Sequence, residues 1–183
     1  MAVTPKIVAI PEQVGLEKLK KHVGAYVNDD VQLSMETVPL ESIFLMTKYV
    51  RGYKYKQIAQ LFNLFSKAAL RRFESAEVQY GDGLGTIVTP PVVEFTGGRY
   101  FIVQGNTRAL YCHKNDISGL RCVAVRNAGM PLPSNQQIPL KDVIIGGRNI
   151  STEDRFGGSI DSDYRGIEQA THIPEDTLKD VQI

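Results

Sequence analysis

The sequence predicts an α/β (α+β) domain. Residues 91–126 read as strand, turn, strand, helix, turn and strand in succession. Ile58, Leu61, Phe62, Phe65, Ala69 and Phe73 recur at three- and four-residue steps, the period of a helix with one buried face. Hydrophobic residues make up 43% and charged residues 22% of the 183, ordinary globular proportions that supply one packed core, with room for an appendage.

Taken in order, Lys6-Ile7-Val8-Ala9-Ile10 is a short strand stopped by Pro11. A helix follows from about Pro11, with Leu16, Leu19, Val23 and Tyr26 on one face and Glu17, Lys18, Lys20 and Lys21 on the solvated side. Val38-Pro39-Leu40-Glu41-Ser42-Ile43-Phe44 has the composition of a strand leading into the core. The helix over residues 58–73 carries Lys67, Arg71 and Arg72 in its last turns, where cations complement the helix dipole; contact with DNA is the other reading of these three.

Residues 80–90 read as a loop, with Gly81, Gly83, Gly85 and the pair Pro90-Pro91. A hairpin comes next, residues 91–95 and 100–104, joined through Gly97-Gly98, which supplies the positive φ angles of a tight turn. Residues 106–115 read as a helix, Gly119 breaks the chain, and residues 120–126 form another strand.

Past Asn127 the composition turns linker-like, through Gly129-Met130-Pro131-Leu132-Pro133-Ser134-Asn135. Ile138-Pro139-Leu140-Lys141-Asp142-Val143 echoes Val38-Pro39-Leu40-Glu41-Ser42-Ile43, and chance similarity of two strand openings is the simplest account. Gly146-Gly147 and Gly157-Gly158 imply turns, residues 163–170 a short helix, and the tail from Thr171 is polar and expected to be mobile. The sequence therefore divides into an N-terminal strand and helix extension (1–37), a core (38–127) and a loop-rich C-terminal extension (128–183).

A net charge of +1 gives no global case for nucleic acid or a membrane, so any DNA contact needs a local basic patch. Cys112 and Cys122 are too few for a disulfide scaffold or a zinc site and read as two buried thiols in a reducing compartment. Met1-Ala2-Val3-Thr4-Pro5 lacks the basic start and apolar stretch of a signal peptide, and no apolar run reaches about 18 residues. The expectation is a cytoplasmic protein with no membrane partner.

Chemistry concentrates in Gln104-Gly105-Asn106-Thr107-Arg108. A strand ends at a glycine and a helix begins at once, so the first backbone N–H groups of that helix lack intrahelical acceptors and stabilise an anion. Gly105 lets a phosphate approach the backbone, Asn106 or Thr107 can cap the helix, and Arg108 can meet phosphate oxygens with paired hydrogen bonds. An arginine in a first turn is disfavoured by the dipole, itself a hint of a bound anion; the plain alternative is a turn, a cap and an exposed arginine.

The stretch from Thr89 to Arg126, TPPVVEFTGGRYFIVQGNTRALYCHKNDISGLRCVAVR, resembles the core of the ParB/sulfiredoxin superfamily: a proline-headed strand, a hairpin, a Gly-x-x-Arg helix start and a strand after a glycine. Val38-Pro39-Leu40-Glu41-Ser42-Ile43 is similar to that family's opening strand. The resemblance covers roughly half the chain. It implies a compact mixed sheet with flanking helices that binds ATP or another nucleoside triphosphate, with Mg2+. Gly105, Asn106, Thr107 and Arg108 would contact phosphate, while Thr89 and Pro90 would line the opposite wall.

The departures narrow the branch. The Gly-Glu-Arg-Arg of chromosome-partitioning members is missing, and no helix-turn-helix pattern follows. Asn106 stands where sulfiredoxins keep a catalytic cysteine, and the Asp-Gly-His-His-Arg of the free-serine kinases is missing. In size the chain resembles the compact plasmid fertility-inhibition members, the Osa type, associated with ATP hydrolysis, DNA cleavage and suppression of plasmid transfer.

The leading expectation is thus a nucleotide-binding protein that hydrolyses ATP or binds or cleaves DNA, with Arg108 and Glu94 as candidate catalytic residues. Asp82 and Asp116 are the other nearby acids, His113 lies two turns into the helix, and the metal ligands stay unassigned. The alternatives are a non-catalytic module in which nucleotide or DNA gates a protein partner through residues 129–162, and a small-molecule kinase of the free-serine type.

Overall fold

A strand that is apolar at every position is buried on both faces, because successive side chains point to opposite sides. Val92-Val93, Phe101-Ile102-Val103 and Cys122-Val123-Ala124-Val125 have that character, and they form the middle of the molecule. The computed structural model describes residues 6–79, 85–132, 134–146 and 165–167. In chain order the elements are β1 (Lys6–Ala9), α1 (Glu12–His22), β2 (Gln32–Pro39), β3 (Ile43–Leu45), β4 (Tyr49–Arg51), α2 (Gly52–Lys67) and β5 (Ala76–Gln79). They continue as β6 (Gly85–Val88), β7 (Val92–Thr96), β8 (Arg99–Gln104), α3 (Asn106–Lys114), β9 (Gly119–Arg126), β10 (Ile138–Pro139) and β11 (Ile144–Gly146). The α+β class predicted from sequence is the one observed.

Six strands make a mixed sheet in the order β10-β3-β8-β7-β9-β2. The pairs β3–β8 and β7–β9 are parallel, and the others in this sheet are antiparallel. Alternation sorts the central side chains cleanly. Val93, Ile102, Cys122 and Ala124 face a core shared with Ala109, Leu110 and Phe62 of α3 and α2. Val92, Phe101, Val103, Val123 and Val125 face a second core shared with Leu19 of α1, Val23 and Tyr26. A smaller sheet, β1-β5-β6, packs against the far end of α2 through Phe65, Ala76 and Val78.

Residues 6–37 are therefore no appendage. α1 and the turn after it pack on one face of the central sheet, and β2 pairs with β9 from Gln32↔Arg126 to Pro39↔Gly119. The boundary expected at Val38 falls inside β2, a strand whose Ser34, Glu36 and Thr37 dilute the apolar signal.

The α2 helix spans Gly52–Lys67 and not 58–73. Ala69 takes a left-handed φ of 56°, and Leu70 N–H returns to the Phe65 carbonyl, which ends the helix. Phe73 still reaches the core from the following turn, edge-on to Phe62 at 5.5 Å between ring centroids, so its spacing imitated helical periodicity. Arg71 and Arg72 consequently lie past the helix. Residues 85–88, expected as loop, form β6 against β5. Asp82, the turn at Gly157-Gly158, the tail from Thr171 and most of the helix expected at 163–170 lie outside the described residues.

The six-residue echo has a structural counterpart. Pro39 and Pro139 are both extended (φ −57° and −65°), and each leads into one 3-10 turn, Leu40–Ser42 and Leu140–Asp142. Leu40, Ile43, Leu140 and Val143 enter the same core, and the two segments meet where β10 pairs with β3.

Candidate functional site

The junction of β8 and α3 is built by a glycine that cannot be replaced cheaply. Gly105 adopts φ +100°, and a Cβ there would sit 2.8 Å from Pro91 Cβ. Pro91 is held in turn by its carbonyl, which accepts from Val123 N–H at 2.8 Å. The chain thus crosses directly over the segment leading into β7, and Thr89 Oγ1 donates to Gln104 Oε1 at 3.2 Å. Thr89, Pro91, Gln104 and Gly105 are neighbours here, while Pro90, expected beside Thr89 on the wall of the site, lines a separate hollow with Ile10, Pro11, Phe73 and Arg121.

Gly105 itself is the N-cap of α3, and no side chain caps the helix. The capping role expected of Asn106 or Thr107 is not filled, since both residues lie inside the first turn. The first helical bond is Ala109 N–H to the Gly105 carbonyl at 3.0 Å, which leaves the amides of Asn106, Thr107 and Arg108 without an intrahelical acceptor. Asn106 Oδ1 is enclosed and has no hydrogen-bond partner among the described residues.

Arg108 was expected to reach outward from the first turn. Instead it is buried, 9% exposed, and its Nη1 donates to the Thr89 carbonyl. Among the described residues no carboxylate pairs with it. Burial pulls its pKa down to about 10, so it remains a cation at neutral pH. Cys112, one turn further along α3, is buried too, and desolvation pushes its thiol up to about 12. The junction therefore combines uncapped amides, an enclosed amide oxygen and an inward guanidinium without a counter-ion.

Glu94 does not belong to this constellation. On β7 the side chains alternate, so Val93 faces α3 while Val92 and Glu94 face α1. Glu94 is 2% exposed and fully engaged: Oε1 accepts from Tyr26 Oη and Arg165 Nε, each at 2.8 Å, and Oε2 accepts from Arg165 Nη2 at 2.8 Å. Arg165 Nη2 also donates to the carbonyls of Met130 and Pro131, both at 3.1 Å. A carboxylate across the sheet from Gly105 and locked in an ion pair cannot serve as the acid or base of that site, so the catalytic role expected for Glu94 is withdrawn.

His113 and Asp116 also lie elsewhere. They line a cavity of about 600 Å³ with Glu41, Leu140 and Lys141, between the two echoing segments and the end of α3. A larger cleft of about 960 Å³ opens beside Glu94, bordered by Phe95, Arg99, Phe101, Met130 and Asn135. The sequence reading missed the Glu94–Arg165 pair, although a lone acid inside Val92-Val93-Glu94-Phe95 signals that a buried partner is needed. Among the described residues no three His, Cys, Asp or Glu side chains come together as metal ligands. Comparison with protein-family models, with curated proteins and with solved structures gave no match to this chain.

Proposed function

We propose that this protein binds the phosphates of a nucleoside triphosphate at the β8–α3 junction, as a domain of ParB/sulfiredoxin type, and that nucleotide occupancy gates contact with a partner. The observation that carries this reading is the buried Arg108 cation, without a carboxylate among the described residues and in the same turn as the uncapped helix amides. A guanidinium taken out of water is costly unless an anion accompanies it, and the positive end of α3 adds to the local excess of positive charge. Asn106 Oδ1, enclosed and unpartnered, offers an acceptor to a ligand hydroxyl or amine.

Gating is favoured over turnover because Glu94, the carboxylate expected to act at the junction, is committed to Arg165. Among the described residues no group of His, Cys, Asp and Glu side chains fits a protein-held metal there. A Mg2+ would enter with the nucleotide, carried by its phosphates and water. ATP hydrolysis and DNA cleavage therefore rank below binding, and phosphate transfer to a small acceptor ranks lower still.

A thermal-shift series with ATP, ADP, CTP and GTP plus Mg2+ tests the reading. A ligand at about 100 times its Kd adds roughly 2.7 kcal/mol of stability. Arg108→Met, which keeps the buried volume and removes the charge, should abolish the response at little cost to the unliganded protein. The Arg108–Thr89 contact favours a second reading, in which the guanidinium only ties α3 to the segment before β7. That reading expects no nucleotide response in the native chain and a clear loss of stability in Arg108→Met.

A further inference from the structure

Charge is distributed very unevenly along this nearly neutral chain. Residues 42–73 contain no acid, yet they hold Lys48, Arg51, Lys54, Lys56, Lys67, Arg71 and Arg72. With 21 Lys and Arg against 20 Asp and Glu in the whole chain, this leaves 14 cations and 20 acids for the remainder. The +1 total therefore hides a segment of charge +7 set against a body of −6.

The fold puts Lys54, Lys56 and Lys67 on α2, with Lys48 and Arg51 just before the helix and Arg71 and Arg72 just after it. α2 buries Phe62 and Phe65, and its exposed positions are Lys54, Lys56, Gln57, Gln60, Asn63, Ser66 and Lys67. Lys56, Gln60, Asn63 and Lys67 follow steps of four, three and four, which lines them up on one side of the helix. Every exposed side chain of α2 is a cation, an amide or a hydroxyl.

Dipole compensation accounts for Lys67 in the last turn but not for the other end. Arg51 is the N-cap, Lys54 lies in the first turn and Lys56 just after it, and the first turn holds no acid. Cations there add to the positive helix end instead of offsetting it. Among the described residues none of the four lysines has a carboxylate partner, and only Arg71 is in a loose pair, with Glu74 at 3.6 Å.

We propose that the solvent face of α2 and its flanks is a docking surface for double-stranded nucleic acid, held through its phosphates. The charge is complementary to a polyphosphate, and Gln57, Gln60 and Asn63 supply hydrogen bonds between the cations for phosphate oxygens and base edges. A bilayer surface fits poorly, because interfacial helices bury an apolar face and the exposed side of α2 has none. A single strand fits poorly as well, because its bases need stacking platforms and Tyr55 is already packed against Tyr111 at 5.4 Å. The inference stands independently of the nucleotide site, since it shares no residue with the β8–α3 junction.

Fluorescence anisotropy of the full chain with a labelled duplex of about 20 base pairs, between roughly 50 and 200 mM salt, tests it. Four phosphates neutralised give a slope of about −4 for log K against log salt. The double variant Lys56→Gln/Lys67→Gln should lower that slope by about 2 and weaken binding at least tenfold at low salt. Lys21→Gln/Lys141→Gln, equal in net charge and away from α2, should leave the slope unchanged. Both variants should keep the native Tm and the native nucleotide response, so a failed nucleotide titration says nothing against the duplex. No duplex binding at low salt, equal losses in the two variants, or preference for phosphatidylserine vesicles or the single strand would each overturn the assignment.

Discussion

Glu94 and Arg165, 71 residues apart, meet as a two-point ion pair whose side chains are only 3% and 5% exposed. The pair ties the middle of the central sheet to a segment close to the C-terminal end, and Tyr26 closes it from the α1 side. Because Arg165 also donates to the Met130 and Pro131 carbonyls, one guanidinium joins three parts of the chain.

Removing one partner of such a pair leaves the other buried and uncompensated, which costs about 3–5 kcal/mol. Glu94→Gln should therefore lower stability by roughly that amount, read as a shift of the urea midpoint with unchanged slope. The loss should shrink when Arg165→Met is added, because the stranded cation goes with it. A Glu94→Gln protein of native stability would mean that the carboxylate is free for other work.

Gly105→Ala tests the geometry of the nucleotide junction without touching a charge. The left-handed conformation costs a non-glycine residue about 1–3 kcal/mol. The 2.8 Å approach to Pro91 Cβ adds to this, since Pro91 is fixed by its bond from Val123. A fall in stability of about 2–4 kcal/mol is expected, with a Tm lower by roughly 5–15 °C. Full stability in Gly105→Ala would show that the two segments cross with room for a Cβ.

The hairpin, α3 and β9 were legible because strong local signals agree there: Gly97-Gly98 for the turn, Gly105 for the break, Gly119 for the restart. Less of α2 was readable. Its first turns are Tyr and Lys without a clear apolar stripe, while Phe73 extended the pattern past the true end at Lys67. β2 was missed because neither of its faces is consistently apolar, Thr37 breaking the row begun by Leu33 and Met35 and Val38 standing alone behind Ser34 and Glu36, and β4, β5 and β6 because three- and four-residue strands carry almost no periodicity. For the site, the junction itself could be read from Gly105 and the helix start. The inward turn of Arg108 and the commitment of Glu94 to Arg165 could not, because both depend on contacts between segments distant in sequence.

Cys112 and Cys122 lie fully buried on α3 and β9, and burial pushes both thiols up to about 12 from 9.0. Two consequences follow. At pH 8 neither should react with a thiol reagent in the native protein, and both should react once it is unfolded. The second concerns stability. Above pH 9.0 the unfolded chain loses thiol protons that the folded chain keeps, so the unfolded state binds fewer protons and stability falls as pH rises. The contribution is present in full below pH 9.0 and declines until about 12, where the folded thiols ionise too. Cys122→Ala should flatten this alkaline decline at a cavity cost of about 1–2 kcal/mol near neutral pH. A native protein modified at pH 8 as fast as a free thiol would contradict both halves of the argument, since reactivity and alkaline sensitivity have the same origin in burial.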